Sequence, residues 1–114
     1  MILASALLLA AVAALPAEDR IVVIGRKLAE TRVDWTTRRR NGAMEIRRCK
    51  VTHSSGDAEL DNVVCQAMKD CARHIPPGAR EGDPLPEFFA CTDERSLALG
   101  RELFDRRDAA AGGA

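Results

Sequence analysis

The chain is poor in aromatic residues, with one Trp, three Phe and no Tyr among 114 residues. A chain of this length with so few large apolar side chains forms one domain at most, with a small core. It contains no Cys-x-x-Cys pair, which argues against thioredoxin-like redox catalysis. It also has no excess of either charge, because 17 basic residues balance 17 acidic ones. Because the core is small, covalent cross-links are expected to contribute much of the stability.

Four cysteines can provide those cross-links: Cys49, Cys65, Cys71 and Cys91. An even number fits two disulfides formed in an oxidising compartment. Cys65 and Cys71 lie on one predicted helix, about 9 Å apart at 1.5 Å per residue, which is beyond the reach of a bridge. Each therefore pairs with Cys49 or Cys91. The pairing Cys49–Cys71 with Cys65–Cys91 is favoured because Cys49 lies well up its strand, and Cys49–Cys65 with Cys71–Cys91 is the alternative.

Residues 1–17 are expected to be a signal peptide. Met1 to Leu15 is apolar and uncharged, too short for a typical membrane span of about 20 residues. Small residues suit cleavage after Ala14 or after Ala17. The expected location is the periplasm, reached through a Sec-type signal. No basic residue precedes the apolar run, so a retained membrane anchor and a cytosolic protein with a buried apolar terminus are the alternatives.

Charge is unevenly distributed along the chain. Residues 18–50 hold ten basic and five acidic residues, whereas residues 51–114 hold seven and twelve. A basic front half can contact an anionic partner. The simpler interpretation is a solvated hairpin that faces the acidic half, and export would exclude nucleic acid as a partner.

The run Ile21, Val22, Val23 and Ile24, closed by Gly25, predicts a short strand. This run would be the first strand of the protein's own sheet. It also resembles the box segment of TonB-dependent outer-membrane receptors, which adds a strand to an exposed sheet edge. In that case these four residues would bind a partner.

Residues 31–52 predict a β-hairpin around Asn41-Gly42, the dipeptide that a type I′ turn requires. Val33, Trp35 and Thr37 alternate on one face, and a two-residue loop would pair Trp35 with Arg48. In the return strand, however, Met44 and Ile46 are out of phase with Cys49 and Val51. We therefore expect a β-bulge or twist near Arg47-Arg48, or else a return strand that is covered on both faces.

A helix is predicted over residues 58–73, with Asp57 as its N-cap and an apolar face that recurs with helical spacing. Residues 76–86 are a loop rich in Pro, Gly and acidic residues. A tail helix is predicted over 93–107, beginning after Thr92 and weakened by about 1 kcal/mol by Gly100. Residues 109–114 are expected to be a disordered tail. Residues 18–108 would thus form one small domain.

Part of this domain, Arg47 to Pro77, resembles the TonB C-terminal domain family. The likeness rests on the Ser54-Ser55-Gly56 turn, followed by Leu60-Asp61 and the helix. The resemblance implies an α+β fold in which a small antiparallel hairpin sheet packs against one helix. In that family a third strand follows and grips receptor peptides. This chain continues instead into Gly82 to Pro86 and a tail helix, so the final strand is expected to be missing.

The sequence does not indicate an enzyme. His53 next to Ser54 and Ser55 is the only cluster that resembles a nucleophile with its base, and strand neighbours point to opposite faces. No cofactor is predicted. A zinc site made by Cys49, His53, Cys71 and His74 is an alternative, although its spacing lacks paired Cys-x2-Cys clusters.

The favoured expectation is a small exported structural or interaction protein, stabilised by disulfides, whose partner is an envelope protein bound by strand addition. A degenerate TonB-type component that binds receptor boxes is the runner-up. The predicted partner-binding residues are Ile21, Val22, Val23, Ile24, Trp35, Arg38, Arg39 and Arg40.

Overall fold

The computed structural model describes residues 17–112 of the chain. The predicted signal peptide lies almost entirely outside these residues. Along the described chain, the elements are helix α1 (Ala17–Glu30), strands β1 (Arg32–Arg40) and β2 (Ala43–His53), helix α2 (Ala58–Cys71), a 3₁₀ turn (Ala72–His74) and helix α3 (Pro86–Gly112). None of the helices described is both long and apolar enough to cross a membrane.

The predicted α+β fold class is confirmed, because β1 and β2 form an antiparallel two-stranded sheet beside helices. Asn41 and Gly42 both have positive φ at the tip, as the turn demands. Thr37 pairs with Ile46 but Thr36 pairs with Arg48, which leaves Arg47 as the extra residue. The predicted bulge is thus confirmed. It shifts the register, so that Trp35 pairs with Cys49 and not with Arg48.

The bulge allows both halves of β2 to contact the same core. Met44 and Ile46 before it, and Cys49 after it, all pack against one buried cluster. A regular strand would have turned one of these two sets toward solvent.

The prediction of a strand at residues 21–24 is wrong, because these residues lie in helix α1. Ile24 is buried with Leu60 and Leu103, and Leu28 packs against the same cluster. Residues 24 and 28 are one helical turn apart, and a helix can direct both toward α2 and α3. A β-branched run has only a weak intrinsic preference for strands, and this packing overrides it.

Helix α2 begins where the sequence predicts, at an Asp57 N-cap whose carboxylate accepts a hydrogen bond from the Leu60 backbone N–H at 3.1 Å. The same carboxylate receives two bonds from Arg107 on α3, at 2.7 and 2.9 Å. The hydrogen bonds from Arg107 are the main reason why the pKa of Asp57 falls to about 2. The paired carboxylate therefore ties the start of α2 to the end of α3.

Helix α3 is longer than predicted at both ends. Pro86 begins it, consistent with the preference of proline for the first helical position. Phe88 in the first turn is fully buried, which anchors this turn to the core. Thr92 therefore lies inside the helix, not before it. The helix continues to Gly112, so the prediction of a disordered tail is wrong for residues 109–112, while residues 113 and 114 lie outside the described part.

Two disulfides join these elements, Cys49–Cys65 and Cys71–Cys91. The favoured pairing of the sequence analysis is therefore wrong, and the alternative is correct. Cys49 lies about 13 Å from the end of β2 at about 3.3 Å per residue. Cys65 lies about 11 Å into α2, whereas Cys71 lies about 20 Å into it at 1.5 Å per residue. A strand and a helix running back along it therefore align Cys49 with Cys65.

Gly100 marks the closest approach of α1, α2 and α3. A Cβ atom at this position would lie 2.8 Å from Ile24 Cγ2 and 3.2 Å from Leu60 Cδ1. The glycine that weakens the isolated helix thus allows three helices to pack. Branched side chains from the other two helices occupy the space that a methyl group would need.

We expect Gly100→Ala to lower the free energy of unfolding by about 1–2 kcal/mol, because overpacking outweighs the gain in helix propensity. Gly25→Ala is the matched control, since nothing lies within 4 Å of a Cβ built on Gly25 in α1. That control should be stabilised by about 0.5–1 kcal/mol. Urea unfolding followed by circular dichroism measures both. Equal stabilisation of the two variants would contradict the close approach.

Candidate peptide-binding groove

A groove of about 500 Å³ lies between the outer edge of β1 and the loop that precedes α3. Five consecutive strand residues, 33–37, line one wall. Neighbouring residues of a strand point to opposite faces, so a cavity that contacts all five must run along the backbone edge. The opposite wall consists of loop residues Ile75, Ala79, Arg80, Glu81, Gly82, Asp83 and Leu85, with Phe89 from α3.

No strand pairs with this edge of β1 among residues 17–112. The loop that faces the edge contains Pro76, Pro77 and Pro84 and leads into Pro86. Proline has no N–H to donate to a strand ladder, so this segment is a poor third strand. The loop instead forms its own turns, where the Arg80 N–H donates to Asp83 Oδ2 at 2.7 Å. The backbone edge of β1 is therefore left to face the groove.

Aromatic side chains form the apolar part of the groove. The rings of Trp35 and Phe89 lie 6.3 Å apart at nearly a right angle. Phe88 is buried 5.3 Å from Trp35 and 5.2 Å from Phe89, so it supports both rings from the core side. Phe89 is 45% exposed, which is unusual for so large an apolar side chain. The groove thus combines a free strand edge with an accessible aromatic ring, the two features that strand addition uses.

Charges flank this apolar centre on both sides. Asp34 on the strand and Glu81 and Asp83 on the loop line the groove. Beyond the lined part of β1 the strand continues into Arg38, Arg39 and Arg40, which are all exposed. Arg38 pairs with Glu45 across the hairpin, and Arg40 lies 4.0 Å from the same carboxylate. A bound segment would therefore meet acidic groups along the groove and basic groups at the hairpin tip.

Asp61 joins α2 to the base of the hairpin, away from the residues that line this groove. Its buried carboxylate receives hydrogen bonds from the Ser55 N–H at 3.0 Å, from Ser55 Oγ at 2.7 Å and from Ser54 Oγ. Thr31 Oγ1 lies 3.0 Å away and can also donate. Burial alone would raise the pKa of Asp61, but these hydrogen bonds outweigh it and keep the pKa below its usual value. The Ser-Ser-Gly turn is therefore closed by the aspartate that follows Leu60.

The structure does not bring the predicted partner-binding residues to one place. Trp35 lines the groove, and Arg38, Arg39 and Arg40 follow it along β1. Ile21, Val22, Val23 and Ile24 lie on α1, where Ile24 is buried in the core. A segment held in a helix cannot add a strand to a sheet, so these four residues do not form a box-like arm in this fold.

Sequence reasoning missed Leu85 and Phe89 in the groove wall and the linking role of Asp61. Phe89 belongs to the one pair of adjacent Phe or Trp residues in the sequence, Phe88-Phe89, which begins two residues after Pro86. This position is the signal that could have been used. The role of Asp61 as an acceptor could not be derived, because its donors come from two separate segments, Thr31 and Ser54-Ser55.

The residues considered for zinc or for catalysis are occupied otherwise. Cys49 and Cys71 are bonded to other sulfurs, so zinc binding would require both bridges to be reduced. Among the described residues, no group of three or more His, Cys, Asp or Glu side chains is placed to hold a metal ion. The Ser54 and Ser55 hydroxyls both donate to Asp61, which gives them a structural role in the turn.

A second depression, of about 630 Å³, lies beside the Cys71–Cys91 bridge. Its lining includes charged residues of both signs, such as Arg95 and Glu94, and no Phe, Trp or Tyr side chain. It therefore lacks the apolar centre that distinguishes the first groove.

Together, the fold and the groove define a disulfide-stabilised α+β domain with an open strand edge. The chain matches no family model, and neither the curated proteins nor the solved structures include a match.

Proposed function

We propose that this protein is a small exported, non-enzymatic interaction protein that acts in the periplasm and binds an extended segment of an envelope protein along β1. The observation that carries the proposal is the uncovered edge of residues 33–37, which faces a groove containing Trp35 and the exposed Phe89. Backbone hydrogen bonds to such an edge provide affinity, and side-chain pockets provide selectivity.

Two disulfides support the proposed location. The fold contains two bridges, and disulfides form and persist in oxidising compartments such as the periplasm but are rare in the cytosol. The apolar run at residues 1–15 also supports export, since it has the length and composition of a signal-peptide core.

The likeness to the TonB C-terminal domain core is part of this proposal. The Ser54–Gly56 turn leads from β2 into α2, and Asp61 closes that turn. A degenerate TonB-type component that binds receptor boxes is therefore the second candidate. The observation that separates this chain from the family pattern is α3, because residues 86–112 form a helix and not a third strand.

Peptide titration tests the proposal through the amide resonances of the protein. One probe is a box-type peptide, Ile-Val-Val-Thr-Gly, and the other is an unrelated extended peptide, Thr-Val-Thr-Val-Thr. We expect shifts in residues 33–37, and we expect N-methylated peptides to lose binding because they lack backbone donors. Binding of both probes supports general strand addition, whereas binding of the box peptide alone favours the second candidate.

Two exposed apolar residues provide a matched pair of variants. Phe89 is 45% exposed in the groove, and Val22 is 58% exposed on α1. We expect Phe89→Ala to weaken peptide binding about tenfold, which corresponds to about 1.4 kcal/mol. Val22→Ala should leave the affinity unchanged. Shifts confined to other surfaces, or an equal loss in both variants, would reject the groove as the binding site.

A further inference from the structure

The outer face of the hairpin carries a dense array of arginine side chains. Residues 32–53 contain seven Arg or Lys and only two acidic residues. All seven basic side chains are exposed, but Arg39 pairs with Met44 on the core-facing side. The outer face holds the other six: Arg32, Arg38, Arg40, Arg47, Arg48 and Lys50. One of the two acids, Glu45, already pairs with Arg38 and lies near Arg40. This surface, which we call the arginine face, therefore carries a net positive charge.

The strand register explains why these charges lie together. Thr36 pairs with Arg48 and Asp34 with Lys50, so alternate β1 residues and their partners share the face away from the core. The bulge adds Arg47 next to Arg48 without placing an apolar residue on that face. The apolar residues of the hairpin, such as Trp35 and Ile46, point to the opposite side and pack against the core.

The arginine face differs from a protein-binding surface in composition. Protein interfaces concentrate their affinity in a few desolvated aromatic or apolar residues near the centre. The paired outward positions of this hairpin carry charged, hydroxyl and small side chains and the imidazole of His53, but no aliphatic or Phe, Trp or Tyr anchor. Arginine is also the side chain whose planar donors best match phosphate oxygens.

We propose that the arginine face docks on the phosphate groups of an anionic phospholipid bilayer. A broad array of exposed cations suits a surface of many equivalent anions, because each cation contributes without a single defined pocket. This contact does not depend on the apolar segment at residues 1–15, and it uses a different face from the groove along β1.

The remaining part of the chain orients the molecule on such a surface. Residues 51–114 hold twelve acidic and seven basic residues, so they are repelled by the anions that attract the hairpin. A protein with opposite charges on its two halves approaches a charged surface with one end. The hairpin therefore faces the lipid, while the acidic helices face away from it.

Vesicle co-sedimentation tests the proposal with the full chain. Partitioning is measured on vesicles of phosphatidylcholine alone and on vesicles with about 30% phosphatidylglycerol, the range in which polybasic segments respond to anionic lipid. The ratio of the two partition coefficients cancels the apolar contribution of residues 1–15, which is common to both. We expect the ratio to exceed one at about 0.1 M salt and to fall toward one at about 0.5 M.

Matched double variants locate the effect. Arg48→Gln with Lys50→Gln removes two charges from the arginine face, because both residues pair with outward positions of β1. Arg101→Gln with Arg106→Gln removes two exposed charges from α3. Each hairpin charge is expected to raise partitioning about fivefold, so removal of two should lower the ratio by about 25-fold. The α3 pair should keep the ratio of the unmodified chain. Thermal unfolding by circular dichroism verifies that both variants fold.

Three results would overturn the proposal. The first is the absence of any preference for anionic vesicles, and the second is an equal loss in both double variants, which would reflect net charge alone. The third is tighter binding to a short DNA duplex than to anionic vesicles, which would show that the arginine face prefers the phosphates of a nucleic acid to those of a bilayer. Loss of peptide binding in the groove leaves this proposal unaffected, because none of the basic side chains of the hairpin lines the groove.

Discussion

Replacing Cys49 and Cys65 together by alanine is expected to lower the free energy of unfolding by about 3 kcal/mol, the effect of opening a loop of this length. The bridge spans 16 residues and joins β2 to α2. An isolated two-stranded hairpin is marginal in water, so this sheet depends on its attachment to the helix. Urea unfolding measures the loss, and the hairpin amides should lose protection from hydrogen exchange more than those of α3.

Removal of the second bridge gives the comparison. Cys71 and Cys91 join the end of α2 to α3 across 20 residues, so their double alanine variant should lose a similar free energy but expose α3 first. Peptide mapping without reductant should recover Cys49 linked to Cys65. Recovery of Cys49 linked to Cys71, or a hairpin that stays protected without its bridge, would contradict this account.

Replacing Asp61 by asparagine is expected to cost about 3 kcal/mol, because a buried carboxylate with several donors makes charge-assisted hydrogen bonds and its loss leaves polar groups unpaired. Asp61 is 3% exposed and receives bonds from Ser54 and Ser55. Asp70→Asn on the same helix is the matched control. Asp70 receives bonds from Arg95 and Gln66 near the surface, where such pairs contribute about 0–1 kcal/mol.

Acid unfolding provides an independent check on Asp61. The pKa of Asp61 and that of Asp57 are lowered in the folded protein. A carboxyl whose folded pKa is depressed stabilises the protein above its unfolded pKa, near 4. That contribution is lost as the pH falls through the folded pKa, so stability should decline from about pH 4–5 toward about pH 2. Asp61→Asn should flatten this decline, whereas an unchanged slope would show that the carboxylate is not ionised in the fold.

Local signals in the sequence predicted the hairpin well. The turn follows from Asn41-Gly42, whose backbone conformation few other residues tolerate. The bulge follows from a conflict of phase within β2, which an extra residue at Arg47 resolves. Both inferences needed only neighbouring residues, and both are confirmed.

Features that depend on distant residues could not be predicted in the same way. The run from Ile21 to Ile24 predicts a strand from local preference alone. Only the packing of Ile24 against Leu60 and Leu103, which are distant in the sequence, explains why the run is helical. Prediction of the disulfide pairing requires the rise per residue of β2 to be compared with that of α2, once the two are known to run side by side. The groove arises because the prolines of residues 76–86 leave an edge uncovered, and its aromatic wall comes from α3, which begins seven residues earlier than predicted.

The attachment of the first described helix to the last one has a consequence for biogenesis. Arg20 pairs with Asp108 and lies 3.7 Å from Asp105, and Ile24 shares a buried cluster with Leu103. The part of α3 that holds α1 is therefore synthesised after the hairpin and α2. Until α3 has emerged from the ribosome, α1 lacks its contacts with Leu103 and Asp108, so the packing of the first described helix is completed late in synthesis.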